Sequence, residues 1–583
     1  MFQIRKLLII TYLLTLPFVV FASTDQSERD RMMRDLDVIK QTFDVKYAPA
    51  EWKRSYTNWD LDDEIELAKA NIQMQDTVTV KDYQRILLKF FNSTKDYHVG
   101  VSFYSTEIAA LPFRVQRAGG KYYISWVETA LTMGYNPIHL GDEVLTFDNL
   151  PIDDVVQELK RQEYGNWESA TDQALAQSTL TLRIGSSGHL VPRGLVNLTL
   201  RHKEDGKDST HKMAWYYVPE LIPEQSDNGL FKMMAGTVSR FFYKKPLGEE
   251  LFFYKDMSTP FYQHVMKGFR RLQESDEWDL QADGMEQFIG HKNSVLPNLG
   301  TLMKDLSDAS FQAYIFQHND KRVGFLRLPT FGAGKYEAQN FAKMIQVLES
   351  ETDALVIDQL SNPGGSVFYM YAVASMLSDH PLAVPKQRMT ITQEDVMFAV
   401  DNLKNLESIQ SDDQAVSALG TNVGGYSVDY DLAQSFVGYF RFIRDEWKAG
   451  RIFTDADYLY GLDYLKPNPH ARYTKPIMIL VNELDFSCGD FFPAIMQDNQ
   501  RATIVGSKTA GAGGYVLDHK FPNLYGVEGY TYTGSIAERD NHDPIENLGI
   551  TPDISYELTE RDMQNNYADY VEKIHETLDD ILK

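Results

Sequence analysis

The sequence has 583 residues, of which 43% are hydrophobic and 12% aromatic, and its formal net charge is −25. This length and composition predict two or three globular domains with large apolar cores. This net negative charge argues against nucleic acid and anionic membrane as partners, because both are negatively charged and would be repelled. The single cysteine, Cys488, excludes an internal disulfide in any compartment.

The N-terminus has the pattern of a secretory signal peptide. Arg5 and Lys6 precede a mostly apolar run over 7–21, and a small residue, Ala22, follows it. A membrane anchor is the alternative, but the run is shorter than the ~20 residues that span a bilayer. We therefore predict a signal peptide over 1–22, export to the periplasm or the medium, and no stable membrane anchor after cleavage.

The next two segments differ in periodicity. Residues 23–95 predict an N-terminal helical region, because apolar residues recur at three- and four-residue spacing in runs such as 29–43. Residues 96–200 predict a β-rich module from alternating stretches such as 121–127. His98 lies at the junction of the two segments, a common position for a working side chain.

One stretch of this module, GDEVLTFDNLPIDDV at 141–155, resembles the carboxy half of a PDZ domain. Gly-Asp precedes a short strand, Asp148 and Asn149 make a turn, and a helix begins at Ile152. PDZ grooves bind an extended peptide by adding it as a strand, so the resemblance implies a peptide-binding module. A generic αβ fragment is the alternative.

The remaining chain divides into three predicted parts, the second of which contains an insertion. Residues 201–318 mix aromatic and basic residues without a repeat, which we interpret as an insertion or a covering segment. Over 319–556, strands alternate with helices, which predicts a multidomain α/β protein whose core has a largely parallel sheet. Residues 400–470 interrupt this core as a polar, partly helical insertion, and 557–583 end the chain as a helix.

The segment best suited to position a nucleophile is VNELDFSCGD at 481–490. The apolar run 475–481 predicts a buried strand before it, and apolar residues at helical spacing follow it. Ser487 would begin that helix, where unpaired N–H groups and the helix dipole stabilise negative charge. A plain N-cap is the alternative, since serine is a favoured N-cap residue.

A serine nucleophile needs a base and an orienting group, and neither need be near it in sequence. Of thirteen histidines, His98 is the best placed on local grounds. His542 and Asp543 are rival candidates for base and orienter, and Cys488 is a rival nucleophile because a helix start lowers a thiol pKa. Without an HExxH motif or a cysteine cluster, we predict no metal and no cofactor.

Four stretches, in this order, resemble the tail-specific, or C-terminal processing, serine peptidases. The resemblance implies a crotonase- and ClpP-like α/β peptidase core and a serine endopeptidase that hydrolyses protein or peptide substrates. The four stretches are GFLRLPTF at 324–331, LVIDQLSNPGG at 355–365, VNELDFSCGDFFPAIMQDN at 481–499 and IVGSKTAGAGG at 504–514.

The last stretch departs from the common pattern of the family. Ala512 occupies the position at which the common branch has its lysine base, and Lys508 lies four residues too early. Alanine cannot accept a proton, so the chain is either inactive or uses another base.

A second branch of the same family uses serine, histidine and glutamate. Its DxHxGVxFY and IENxG motifs are similar to residues 96–104 and 545–549 of this chain. The resemblance therefore implies Ser487 as nucleophile, His98 as general base and Glu546 as orienting carboxylate.

Attack on a peptide carbonyl creates an oxyanion, which needs preorganised N–H donors. The N–H of Cys488, next to the nucleophile, is one candidate. Gly364 or Gly365 is the other, because glycine lets the backbone approach a substrate closely. A simple turn over 362–365 is the alternative, and the family resemblance favours the oxyanion hole.

A relative in this branch is made as a zymogen and acts as a homodimer. The resemblance implies that part of residues 220–310 covers the site until the enzyme cuts it, and that this chain also forms a homodimer. Two alternatives remain: a catalytically inactive relative whose PDZ-like groove binds peptides, and a binder of small apolar ligands.

Overall fold

The computed structural model describes residues 26–128, 137–166, 168–220 and 289–583. The predicted signal peptide and most of the predicted inhibitory segment lie outside these residues. Within the described ranges, none of the helices has the length and apolarity needed to cross a bilayer.

A seven-stranded sheet forms the centre of the α/β core. Its first three strands pair antiparallel, and the remaining pairings are parallel, as the alternation of strands and helices predicted. Two neighbouring strands of this sheet, Ala354–Asp358 and Ile477–Val481, are buried at every residue, because helices cover both faces of the sheet. In spatial order the strands are Thr301–Asp305, Ala313–His318, Lys321–Arg327, Ala354–Asp358, Ile477–Val481, Thr503–Gly506 and Ile554–Ser555.

Helices on one face of this sheet form the main hydrophobic core. The stretch 400–470, predicted as a polar insertion, contributes Leu403, Phe436 and Phe440 to that core. On the other face, Ile574 of the last helix contacts the sheet. The core helices are Lys335–Glu351, Val367–Ser375, Gln393–Leu406, Asp412–Leu419, Tyr430–Lys448, Cys488–Asp498, Glu560–Gln564 and Ala568–Ile581.

The β-rich module contains a second sheet, covered by the helices Ile152–Glu163 and Ala170–Thr181. In spatial order its strands are Phe113–Ala118, Lys121–Val127, Glu143–Phe147, Leu195–Arg201 and Asp208–Ala214, with Leu150–Pro151 paired to the third.

The described ends of the segment 201–318 belong to sheets and not to an insertion. Asp208–Ala214 is the edge strand of the module, and Thr301–Asp305 is the edge strand of the core sheet. Both were missed because edge strands are largely exposed: Thr301–Asp305 has no buried residue, so the sequence lacks the apolar pattern of a strand.

A third, antiparallel sheet pairs a strand from the N-terminal part of the chain with strands from its C-terminal part. The strand that follows His98, Gly100–Phe103, pairs with Val527–Thr533, a strand within the segment 319–556 that the alternation of strands and helices assigns to the core. Val516–Lys520 completes the sheet. The N-terminal helices pack against it through aromatic residues such as Phe43 and Phe91. These helices are residues 26–46, Ala50–Thr57, Leu61–Met74 and Val80–Ser93.

Short strands complete the smaller sheets. They are Ile108–Ala110, Leu182–Ile184, Tyr216–Val218, Leu382–Ala383, Lys386–Met389, Asn422–Val423, Tyr426–Ser427, Asp457–Tyr458, Tyr464–Leu465 and Ser535–Glu538.

Candidate active site

Ser487 lies in the turn between the buried strand Ile477–Val481 and the helix Cys488–Asp498. Its φ of 57° and ψ of −119° are rare for a residue with a Cβ, and such backbone strain is concentrated at functional sites. Among the described residues, its side chain makes no capping hydrogen bond, and the residue is partly exposed. The hydroxyl is therefore not used as an N-cap in this structure.

Gly364 lies directly against this turn. A Cβ built on Gly364 would be 2.7 Å from the Cβ of Ser487 and 2.9 Å from the backbone nitrogen of Cys488. The φ of Gly364 is +81°, a conformation that favours glycine. The Gly364 N–H donates to Oδ1 of Asn362 at 2.8 Å. Two of the predicted oxyanion-hole residues, Gly364 and Cys488, thus lie beside Ser487, and the amide of Gly364 is already engaged.

The rival thiol faces away from the partly exposed side of the turn. Cys488 is buried, and its Sγ donates to the carbonyl oxygen of Gly365 at 3.3 Å. Because the thiol lies in the core while Ser487 is partly exposed, the geometry favours Ser487 over Cys488 as the group that meets a substrate.

His98 is completely buried beside this region. Neither of its ring nitrogens has a hydrogen-bond partner among the described residues, and its backbone N–H donates to Oδ1 of Asp96 at 2.9 Å. The neighbouring Tyr97 contacts Phe486, with ring centroids 5.6 Å apart, so the His98 segment lies against the Ser487 turn. Burial lowers the pKa of His98 to about 4, which Asp96 opposes and Lys53 reinforces. The imidazole is therefore neutral, the form that a general base requires.

The lowered pKa of His98 predicts a pH dependence of stability. Between pH 6.5 and about 4, the unfolded chain protonates this histidine and the native chain does not. The free energy of unfolding should therefore fall as the pH falls through this window, by up to about 1.4 kcal/mol per pH unit from this residue. Urea denaturation of wild type and His98→Gln over this range measures it. If stability depended on pH equally in the two proteins, the lowered pKa of His98 would be contradicted.

Glu546 is also buried, but its partner is a lysine. Its Oε2 accepts the N–H of Gly513 at 3.0 Å, and its Oε1 forms an ion pair with Nζ of Lys53. Lys53 also donates to the carbonyl oxygen of Lys95 at 3.0 Å and to Oδ1 of Asn547 at 2.7 Å. Burial raises the pKa of the Glu546 carboxyl, Asp96 adds to this effect, and Lys53 opposes it.

Lys53 is the residue of this site that sequence reasoning missed. It lies on the helix Ala50–Thr57, and its side chain is 0% exposed. Lysines in charged helices are almost always exposed, and no motif marks this one. Only the fold, which places this helix against Glu546, reveals its role as a buried counter-ion.

The loop at 511–513 connects the helix that follows Ser487 with Glu546. Asp490 accepts hydrogen bonds from the N–H groups of Gly511 at 2.8 Å and Ala512 at 3.0 Å. The next residue, Gly513, binds Glu546. Hydrogen bonds therefore run from the helix that begins after Ser487 to the carboxylate of Glu546.

The structure brings some of the predicted residues together and leaves others apart. Ser487, Cys488 and Gly364 are in contact, and Glu546 is joined to the same helix through the loop. In the described part of the chain, His98 is hydrogen-bonded to neither Ser487 nor Glu546. The rivals His542 and Asp543 are exposed on the surface.

Comparisons with known proteins agree with this architecture. Residues 322–556 match the family model of Peptidase family S41, and residues 107–224 match that of the PDZ domain. The chain is 35% identical to an uncharacterized protein of Chlamydia muridarum, an alignment that covers 93% of this chain and 91% of that protein. It is 37% identical to a carboxyl-terminal-processing protease of Synechocystis over 86 residues, 15% of this chain and 19% of that protein.

The fold is similar to a crystal structure of mature CPAF, the chlamydial protease-like activity factor. The two structures superpose with a TM-score of 0.80 at 33% identity, covering 95% of this chain and 98% of the other. The predicted α/β core, PDZ-like module and N-terminal helical region are thereby confirmed. The chain belongs to Peptidase family S41 and is a serine-type endopeptidase similar to the C-terminal processing proteases.

Proposed function

We propose that Ser487 is the nucleophile, His98 the general base and Glu546 the orienting carboxylate of this endopeptidase. The observation that carries the proposal is the strained turn at Ser487, whose hydroxyl caps no helix and whose neighbour is Gly364. The buried, neutral imidazole of His98 and the buried carboxylate of Glu546 are the remaining parts that such a hydroxyl needs.

In the proposed reaction, His98 removes the proton of the Ser487 hydroxyl as its oxygen attacks the peptide carbonyl. The same proton then passes to the leaving amine, and an acyl-enzyme remains. Water, deprotonated by His98, then attacks the acyl carbon, the bond to Ser487 breaks, and the proton passes from His98 to the Ser487 oxygen as the second product leaves. Because neither ring nitrogen of His98 has a hydrogen-bond partner among the described residues and Glu546 is held by Lys53, we infer that side-chain movement completes the triad when substrate binds.

We assign the oxyanion hole to the N–H groups of Cys488 and Gly365. The amide of Gly364 is engaged by Asn362, which favours Gly365 as the second donor. The N–H of Cys488 directly follows the nucleophile, where a developing negative charge would also meet the N-terminus of the helix Cys488–Asp498.

Replacing Ser487 by alanine tests the nucleophile. We expect cleavage of a casein-like substrate to fall by about 10⁴-fold or more and labelling by a fluorophosphonate to disappear, because the attacking oxygen is lost. Ser366→Ala is the matched control: Ser366 caps the neighbouring helix Val367–Ser375 by accepting the N–H of Tyr369, so it should lose stability and keep its label. Unlabelled wild-type protein would favour the peptide-binding alternative.

The resemblance to the Ser-His-Glu branch supports three further parts of the proposal. The chain is exported through the leader at 1–22, acts as a homodimer, and is a zymogen that cuts itself within 220–310. Fragments from that segment that appear in wild type and are missing in Ser487→Ala would support self-activation, and identical fragmentation in both would contradict it.

A further inference from the structure

A cluster of two histidines and an aspartate lies in the PDZ-like module, outside the residues of the active site. Asp142 immediately precedes the strand Glu143–Phe147, His139 lies in the turn before it, and His202 follows the strand Leu195–Arg201. These two strands pair with each other, which brings His202 beside residues sixty positions earlier. The ligand atoms of the three side chains all lie within 4.8 Å of one another.

We propose that His139, Asp142 and His202 bind Zn²⁺. Two imidazole nitrogens and one carboxylate oxygen are donors that zinc prefers, and three protein ligands leave a fourth position for water. Zinc bonds of ~2.0–2.1 Å in a tetrahedron place the ligand atoms about 3.3 Å apart. Oδ2 of Asp142 is 3.0 Å from Nδ1 of His202 and 3.6 Å from Nδ1 of His139.

The central carboxylate is fixed in place before any ion binds. Its side chain is 1% exposed, and it accepts the backbone N–H of His139 at 3.0 Å and that of Lys203 at 3.1 Å. The side chain of His139, by contrast, is 56% exposed. Its ring can therefore swing the short remaining distance toward His202 without disturbing packed neighbours.

Polar neighbours support His202 as a ligand. Its second ring nitrogen, Nε2, lies 2.6 Å from Oγ of Ser209, and this oxygen lies 2.6 Å from Nε2 of His211. Ligating histidines normally use their other N–H in such a hydrogen bond. When Nδ1 of His202 binds the ion, Nε2–H donates to Ser209, and the serine hydroxyl donates to His211. The tautomer change leaves none of these three groups without a partner.

The site lies where the module meets the C-terminal helices. Nζ of Lys203 donates to the carbonyl oxygen of Gln564 at 3.1 Å, and a Cβ on Gly141 would lie 3.0 Å from the carbonyl oxygen of Met563. An ion held between the turn at 139–142 and His202 would stiffen this contact. The inferred role is therefore structural: the ion would stiffen the part of the module that contacts the helix Glu560–Gln564.

The test is calorimetric titration of chelator-treated, full-length protein with Zn²⁺. We expect one ion per chain with a dissociation constant in the micromolar range or below, and a rise of Tm with Zn²⁺ that equal Mg²⁺ does not produce. Replacing Zn²⁺ by Co²⁺ should give the visible absorption of a four-coordinate ion with nitrogen ligands.

Two variants decide whether the named residues bind the ion. His139→Ala, at an exposed position, should keep its fold and lose at least about 10-fold in affinity, and His202→Ala should lose more. His380→Ala is the matched control, because His380 also pairs with an aspartate but is 80% exposed elsewhere. Affinity that is unchanged in His139→Ala, or wild-type protein that binds no Zn²⁺ in the micromolar range, would overturn the proposal.

Discussion

Replacing His98 by glutamine should lower kcat/KM by about 10²–10⁴-fold, the contribution typical of a general base. Glutamine has polar atoms of similar reach but cannot take the proton of the Ser487 hydroxyl. The measurement is the hydrolysis rate of a casein-like substrate at pH 7, together with the rate of fluorophosphonate labelling. Labelling should slow in parallel with hydrolysis, since both need a deprotonated serine.

His542→Gln is the matched control for that experiment. His542 was the rival base by sequence, and the structure places it on the exposed surface. Its replacement should change kcat/KM by less than about 2-fold, since surface substitutions away from special features have small effects. A large loss in His542→Gln with full activity in His98→Gln would reverse the assignment of the base.

Replacing Lys53 by methionine should lower the free energy of unfolding by about 3–5 kcal/mol, the cost of removing one partner of a buried ion pair. Methionine keeps the apolar stem of the side chain but leaves the carboxylate of Glu546, which is completely buried, without its cation. Chemical denaturation of the purified variants at neutral pH measures the loss.

Arg54→Met, on the same helix, is the matched control. The Arg54 side chain is 64% exposed in its ion pair with Asp60, so its loss should cost at most about 1 kcal/mol. The double variant Lys53→Met, Glu546→Gln should recover part of the stability, because it removes the uncompensated charge as well. Equal stability of the double variant and Lys53→Met would show that the unpaired carboxylate of Glu546 is not the cause of the loss.

Local sequence patterns were sufficient for the buried strand that precedes the candidate nucleophile. The apolar run at 475–481 predicted the buried strand Ile477–Val481. The turn that carries Ser487 was also evident, because strand, turn and helix follow one another along the chain. His98 was already a candidate from its position in the chain, and the family motifs added Glu546. No local pattern joins either residue to Ser487.

The sequence by itself determined the α/β core, the PDZ-like module and the position of the candidate nucleophile, because periodicity and short motifs are local properties. Only the tertiary structure decided that Lys53 holds Glu546, that Val527–Thr533 pairs with the strand after His98, and that His202 lies beside Asp142. Each of these contacts joins segments far apart in the chain. Which segments meet depends on strand pairing and helix packing across the whole fold, and no local spacing of residues records it.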